Sequence, residues 1–285
     1  MGVWNYEYMS QFTIIVPAYG AVDALERCLL SVSENTASGI CIFLADDASP
    51  GCPFGGLVAT MTRSLGSAFR FVRRPVNLGF VANVNCAMTE TAGDVVLLNS
   101  DTVVTPGWLD RLTDAFASDP RIATATPWSN IAEICSVPNF CRSNPMPEDG
   151  EVWAKAALLA GSPTYPDLPT GVGFCMAIRR AAWDQVGGFD QATFGRGYGE
   201  ENDFCLRVAG HGWRNVLCDN AFVAHEGGVS FSSEGLTPGG ENLARLVARY
   251  PDYNRRVAEF IMADPLRARR EAVVARYHQL SGRTD

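Results

Sequence analysis

No stretch of this 285-residue chain approaches the ~20 consecutive apolar residues that span a bilayer, so no transmembrane helix is expected. The opening residues, Met1-Gly2-Val3-Trp4-Asn5-Tyr6-Glu7-Tyr8, have neither a basic start nor an apolar core and do not read as a signal peptide. Tyr6 stands where a myristoylation motif wants Ser or Thr. Positive charge is in deficit. The 23 Lys and Arg against 31 Asp and Glu leave a formal charge of −8, which argues against a general nucleic-acid binder. No G-x-G-x-x-G follows the first predicted strand and no G-x-x-x-x-G-K-[ST] occurs. Neither a dinucleotide cofactor nor a P-loop phosphate cradle is therefore expected. The nine Cys contain no C-x-x-C pair. They read as free thiols serving as small core hydrophobes in a reducing cytoplasm, with a zinc site or a Cys nucleophile as the alternative.

What is present is enough apolar sequence for a sizeable core and a clear alternation of elements. Phe12–Val16, Ile40–Leu44, Phe69–Val72 and Val95–Leu98 read as buried strands. Between them, Val22–Ser33, Leu57–Leu65 and Val81–Thr91 show helical spacing. Strand and helix alternating over about a hundred residues imply βαβ units and a mostly parallel sheet. Further on, 108–120 reads as an amphipathic helix and Ile122–Thr126 as a short strand. Proline-rich 127–168 reads as an irregular excursion with a helical island near 152–159, and acceptor choice would reside in 127–168 and 190–200. Thr170–Ile178, Trp213–Leu217 and Ala221–Ala224 read as separate strands, and 241–280 as Arg-rich helix without evident chemistry.

Three of the strands end in polar residues: Tyr19 after the first, Asp46-Asp47 after the second, Asn99-Ser100-Asp101-Thr102 after the fourth. In an open α/β sheet, ligands bind beyond the carboxyl ends of the strands. A short carboxylate such as Asp101 can hold a hard divalent cation there, and the cation a diphosphate. Capping of the following turn is the alternative for Asp101, and an ordinary turn with Ser49 and Pro50 the alternative for Asp46-Asp47. Arg73 or Arg74 could add positive charge beside a diphosphate.

Seven motifs in order carry a family resemblance. They are Val16-Pro17-Ala18-Tyr19, Asp46-Asp47-Ala48-Ser49, Asn77-Leu78-Gly79-Phe80-Val81-Ala82-Asn83-Val84-Asn85, Leu98-Asn99-Ser100-Asp101-Thr102, Gly188-Phe189-Asp190, Gly197 through Arg207, and His225 through Phe231. With these the chain resembles glycosyltransferase family 2, in its rhamnosyltransferase-like branch. The resemblance covers roughly 12–232 and implies a GT-A fold, Rossmann-like, with a mostly parallel sheet flanked by helices. Residues 1–235 would form that domain, and 236–285 a helical extension packed on it.

The resemblance also implies roles. Pro17, Ala18, Tyr19 and Asp47 would meet the nucleotide base. Asn77, Gly79 and Asn83 would line the diphosphate side, and Asn99 or Ser100 would touch the ribose. Asp101 and His225 would hold Mn2+ or Mg2+, with Asn99 replacing one carboxylate of the usual Asp-x-Asp. Glu201 would be the catalytic base, with Glu200 and Asp203 in support and crowding among the three raising its pKa. The reaction implied is inverting transfer from a nucleotide-diphosphate sugar to a saccharide, lipid-linked or protein acceptor, without nucleic acid. It would proceed in the cytoplasm or at the inner face of a membrane. Two other readings are a sugar-phosphate nucleotidyltransferase of similar fold, whose Gly-rich basic signature is missing after Pro17, and an inactive sugar- or nucleotide-binding protein. Trp128 is a candidate platform for an acceptor sugar, whereas Trp183 and Trp213 read as core. Arg267, Arg269, Arg270 and Arg276 read as a solvated helical face, with contact to an anionic membrane as the alternative.

Overall fold

The computed structural model describes residues 12–227 and 240–282. β1 (Thr13–Ala18), β2 (Cys41–Asp46), β3 (Phe69–Arg73) and β4 (Val95–Leu98) alternate with α1 (Val22–Asn35), α2 (Gly55–Leu65) and α3 (Phe80–Thr89). There follow β5 (Thr102–Val104), α4 (Trp108–Ser118), β6 (Ile122–Trp128), α5 (Gly150–Leu159) and β7 (Cys175–Ile178). Next come α6 (Arg180–Val186), α7 (Gln191–Phe194), α8 (Glu200–Gly210) and β8 (Arg214–His225). The chain closes with α9 (Gly240–Arg249), α10 (Tyr253–Ala263) and α11 (Arg267–Ser281).

The strand order is β3-β2-β1-β4-β7-β6-β8-β5. The pairs β1–β2, β2–β3, β1–β4 and β6–β8 are parallel, while β7 runs antiparallel to β4 and β6, and β5 antiparallel to β8. Successive side chains of a strand point to opposite faces, and both faces here are covered. Ile14, Val16, Ile42, Leu44, Val96 and Leu98 pack with Leu25 and Leu29 of α1 and Leu112 and Phe116 of α4. Ile15, Phe43, Val95 and Leu97 pack on the other side with Val81 and Val84 of α3, Trp183 of α6 and Phe204 of α8. Burial on both faces explains why these strands are apolar runs and not alternating ones.

Four sequence readings are corrected. Thr102, read as part of the polar end of the fourth strand, opens the edge strand β5, because β8 offers it an antiparallel partner. Trp213–Leu217 and Ala221–Ala224 merge into the single strand β8, with a register irregularity opposite Pro127 and Trp128. Trp128 ends β6 fully buried and donates its indole N–H to the Asp219 carbonyl at 3.1 Å, so it is core and not a sugar platform.

The arginine tail, finally, is not simply a solvated face. Arg269 donates to the Ala160 and Gly161 carbonyls at 3.0 Å and pairs with buried Asp219 at 2.8 Å. Arg276 donates to the Leu159 carbonyl at 3.1 Å, and Arg270 pairs with Asp264 at 2.5 Å. The end of α5 leaves carbonyls without helical partners, and cationic donors from α11 satisfy them. The Trp153 and Tyr277 rings stack 3.9 Å apart across the same contact.

Candidate active site

The two carboxylates after β2 have separate tasks. Asp46, fully buried, accepts from the Ser49 amide at 2.9 Å and from the Arg73 guanidinium. The Ser49 hydroxyl in turn accepts the Gly20 amide at 2.9 Å, which ties the turn after β1 to the turn after β2. Asp47 accepts the Leu78 and Gly79 amides, each at 2.8 Å, and so carries the 77–79 loop. Pro17 and Ala18 close β1 directly beneath, and Tyr19 follows, half-buried.

Asn77 accepts from the Gly79 amide at 3.1 Å and from the Arg196 guanidinium with the same oxygen. Gly79 has φ +85°, and a Cβ there would lie 3.2 Å from the Arg196 Cα, so two loops distant in sequence close against each other. Arg73 grips Asp46, and Arg74 grips Asn83 and Glu90. Asn83 is likewise occupied, donating to the Ala45 carbonyl at 2.8 Å.

The stretch after β4 forms a second wall. Asn99 donates its amide to the Phe174 carbonyl at 2.8 Å, and Ser100 and Asp101 are each 3% exposed. The β5–β8 register sets Thr102 opposite His225. His225 Nε2 then stands 3.3 Å from Asp101 Oδ1. Its Nδ1 lies 2.9 Å from the Ile131 carbonyl, which can only accept, so Nδ1 carries the proton and Nε2 turns toward the carboxylate. Burial pulls the His225 pKa down, but the Asp101 carboxylate, with the Ile131 carbonyl and the charge of Glu226, more than offsets it and leaves the pKa above the ordinary value.

A ring nitrogen fixed by a backbone carbonyl, with its other nitrogen buried beside a carboxylate oxygen, is a donor set that suits a divalent cation. It is a sparse one. Among the described residues no group of three or more His, Cys, Asp and Glu could hold a metal. Asp101 and His225 therefore fit a cation whose remaining ligands come from a diphosphate and water.

Facing this wall is the start of α8. Gly199, at φ +101°, turns the chain so that Glu200 and Glu201 lie in the first helical turn. Glu200 is 2% exposed, and burial, followed by the charge of Glu201, pushes its pKa well above the usual carboxylate range. Both glutamates have one buried oxygen without a hydrogen-bond partner. Tyr198 sits at φ +67°, its phenol raised by burial and by the charges of Glu201, Glu200 and Asp101. The link between the two walls is residues 173 and 174: a Cβ on Gly173 would lie 3.7 Å from the Glu201 carboxyl, and the Phe174 ring stacks on His225 with centroids 5.2 Å apart.

Asp203 does not join this crowd. It is fully buried and held by Arg207 at 2.7 Å, Arg249 at 2.7 Å and the Tyr250 hydroxyl at 2.9 Å, so its charge is met by two guanidinium groups. The expected three-way crowding is in fact a pair, Glu200 and Glu201.

Two residues that carried no sequence signal also belong here. Glu133, in the excursion after β6, has φ +47°, and burial and then Glu201 raise its carboxyl. Tyr253 of α10 has its phenol pushed up to about 12 by burial and by Glu133 and Glu201, and it reaches the Thr170 side chain. Gly228–Phe231 of the last motif lie outside the described residues.

Residues 13–187 match the profile described as "Glycosyl transferase family 2". An N-acetylglucosaminyl-diphospho-decaprenol L-rhamnosyltransferase of Mycobacterium tuberculosis is 28% identical over 236 residues, covering 74% of this chain and 75% of that protein. Among solved structures, GalNAc-T7 with UDP, GalNAc and Mn2+ superposes with a TM-score of 0.64 at 15% identity, over 86% of this chain and 50% of that one. The mannosyltransferase PcManGT from Pyrobaculum calidifontis, in complex with GDP-Man and Mn2+, superposes with a TM-score of 0.56 at 15% identity, over 96% of this chain and 76% of that one. The likeness to both structures shows the GT-A fold.

Proposed function

Because this chain belongs to glycosyltransferase family 2 and is a glycosyltransferase of GT-A fold, we propose that it transfers a sugar with inversion from a nucleotide-diphosphate donor to an acceptor hydroxyl. The observation that carries this reading is the approach of two walls, Asp101 with His225 on one side and Glu200 with Glu201 on the other, joined through Gly173, which lies against the Glu201 carboxyl, and Phe174, which stacks on His225. Inversion is one in-line displacement. The acceptor oxygen forms its bond to the anomeric carbon as the bond to the diphosphate oxygen breaks. The acceptor proton passes to a base, and the nucleoside diphosphate leaves.

Glu201 is the residue we assign as base. Burial and then the charge of Glu201 push the Glu200 pKa well above the usual carboxylate range, so Glu200 is placed in support and Glu201 is assigned to take the proton. On the opposite wall Asp101 and His225 would hold Mn2+ or Mg2+, which when bound supplies positive charge to the leaving diphosphate. The presence of Mn2+ in both structural neighbours supports this. The donor would lie along Pro17, Ala18, Tyr19, Asp47, Asn77, Gly79, Asn99 and Ser100, with Arg196 as the guanidinium nearest its loop.

The mycobacterial relative transfers L-rhamnose to a lipid-linked N-acetylglucosamine, and that pair is the first to try. No described helix is long and apolar enough to cross a membrane, so a lipid-linked acceptor would be met at the membrane surface. The experiment is a thermal-shift screen of nucleoside diphosphates and nucleotide sugars with and without Mn2+, followed by transfer assays on those that bind. A chain stabilised by no nucleoside diphosphate in either condition would sink the enzyme reading and favour a non-catalytic role.

A further inference from the structure

Helix α9 lies beyond the residues matched by the family profile, and its sequence holds no motif. It nevertheless grips the segment that leads into Glu201. Asn242 donates to the Phe194 and Gly197 carbonyls at 2.8 and 2.7 Å. Arg245 donates to the Thr193 carbonyl at 3.0 Å. Arg249 donates to Asp203 at 2.7 Å and, with its other nitrogen, to Asp190 and the Thr193 hydroxyl, each at 2.8 Å. The next residue, Tyr250, donates to the same Asp203 oxygen at 2.9 Å. Beneath these bonds Leu246, 1% exposed, packs with Phe194 and Leu206.

Within the gripped segment the Gly195 amide donates to the Gln191 carbonyl at 2.9 Å and the Gly197 amide to the Phe194 carbonyl at 3.3 Å, and the backbone between the two helices is otherwise irregular. Gly195, Gly197 and Gly199 have φ of +60°, +148° and +101°, and Tyr198 between them has φ +67°. A run of left-handed positions makes no helical or strand ladder, and glycine loses the most conformational freedom on being ordered. Ordering costs about 1–2 kcal/mol per residue in backbone entropy alone. The segment carries Arg196, Tyr198, Glu200 and Glu201, so whatever orders it also places the charged groups of one whole wall.

We propose that α9 is a strap that sets the Gly-rich segment, with Asn242 and Arg249 as positioning residues for Glu201 and Arg196. Asn242 fixes the middle of the segment by satisfying two of its carbonyls. Arg249 fixes its two ends by joining Asp190, before the glycines, to Asp203, in the first turn of α8. That bond and the one from Arg207 meet the charge of Asp203 and set it apart from the Glu200–Glu201 pair. The strap rests on the assignment of Glu201 as base only in its consequence for turnover; its effect on the segment stands separately.

The test compares Asn242→Ala and Arg249→Gln with the wild-type chain. Turnover is read with nucleotide-activated L-rhamnose and an N-acetylglucosaminyl-diphospho-lipid, and amide hydrogen exchange is read across the chain. A misplacement of about 1 Å costs roughly a hundredfold in rate, so kcat is expected to fall about ten- to a hundredfold in each variant, with the donor KM within about threefold. Exchange is expected to quicken at 195–202 and to stay unchanged in β1, β2 and β4. Unchanged kcat with unchanged exchange at 195–202 overturns the strap. So does a rise in exchange spread evenly over the central sheet, which marks α9 as ordinary packing. Glu201→Gln run in parallel keeps the two ideas apart: if it turns over normally the base assignment falls, while the exchange at 195–202 still judges the strap.

Discussion

His225 Nε2 stands 3.3 Å from Asp101 Oδ1 because the antiparallel register of β5 and β8 sets Thr102 opposite His225. The Ile131 carbonyl holds the far side of the imidazole at 2.9 Å, so the ring cannot turn away without losing that bond. The pair is an oriented donor set, built by strand pairing between residues distant in the chain.

Replacing either partner should abolish the response to metal. Asp101→Asn and His225→Ala are each expected to lose the Mn2+-dependent part of the thermal shift given by a nucleoside diphosphate. Transfer should fall by about 10²- to 10³-fold, the scale of losing one group that stabilises developing charge. Titration calorimetry with Mn2+ checks the binding directly. An undiminished Mn2+ response in Asp101→Asn would remove this pair from any role with metal.

Glu201→Gln keeps shape and hydrogen-bonding capacity but cannot take a proton. Donor affinity should stay within about twofold, and kcat should drop by about 10²- to 10⁴-fold, the range of general-base catalysis. Equilibrium binding of the donor alongside single-turnover transfer separates the two effects. Near-normal turnover in this variant means the base is another group.

Glu200 makes stability depend on pH in a defined direction. Its pKa in the folded chain is raised far above the usual 4.5 by burial and by Glu201. Between the ordinary value and the raised one the folded state binds more protons than the unfolded state. Stability is therefore fully present below the ordinary pKa and is lost as pH rises toward the folded one. Glu200→Gln removes this contribution. The variant's thermal midpoint should decline less than the wild-type one between pH 5 and 8, a range spanning the ordinary carboxylate and neutral values. Parallel declines would mean that Glu200 titrates alike in both states.

Gly79→Ala tests the contact between the two loops. At φ +85° a Cβ is strained, and here it would also press on the Arg196 backbone at 3.2 Å. A cost of about 1–3 kcal/mol is expected, together with a weaker donor KM as the 77–79 loop shifts. Denaturant unfolding and donor titration measure the two consequences. A variant with wild-type stability would show that the loops move apart freely.

The docking of α11 is open to the same treatment. Asp219 is fully buried and pairs with Arg269 at 2.8 Å, while also accepting from Thr164. Arg269→Met leaves the carboxylate buried without its cation and should cost about 2–4 kcal/mol in urea unfolding. No measurable loss would mean that Thr164 and the neighbouring amides satisfy Asp219 alone.

Much of this molecule was legible in the chain itself. The first four strands and three helices follow from apolar runs and helical spacing, because an element buried on one stripe or on both faces must write that burial into its local order. The polar strand ends at Asp46-Asp47 and Asn99-Ser100-Asp101 were readable for the same reason, and with Glu201 and His225 they carried the family resemblance. Tertiary structure alone decided how they combine. Val103 and Val104 became an edge strand only because β8 was there to pair, and Trp128 turned inward because β6 extends further than its periodicity suggests. Asp203 left the acidic cluster when Arg249 reached it from α9. Glu133, Tyr253 and Asn242 had no motif at all, since a side chain that meets its partner across many residues leaves no periodic trace in the sequence around it.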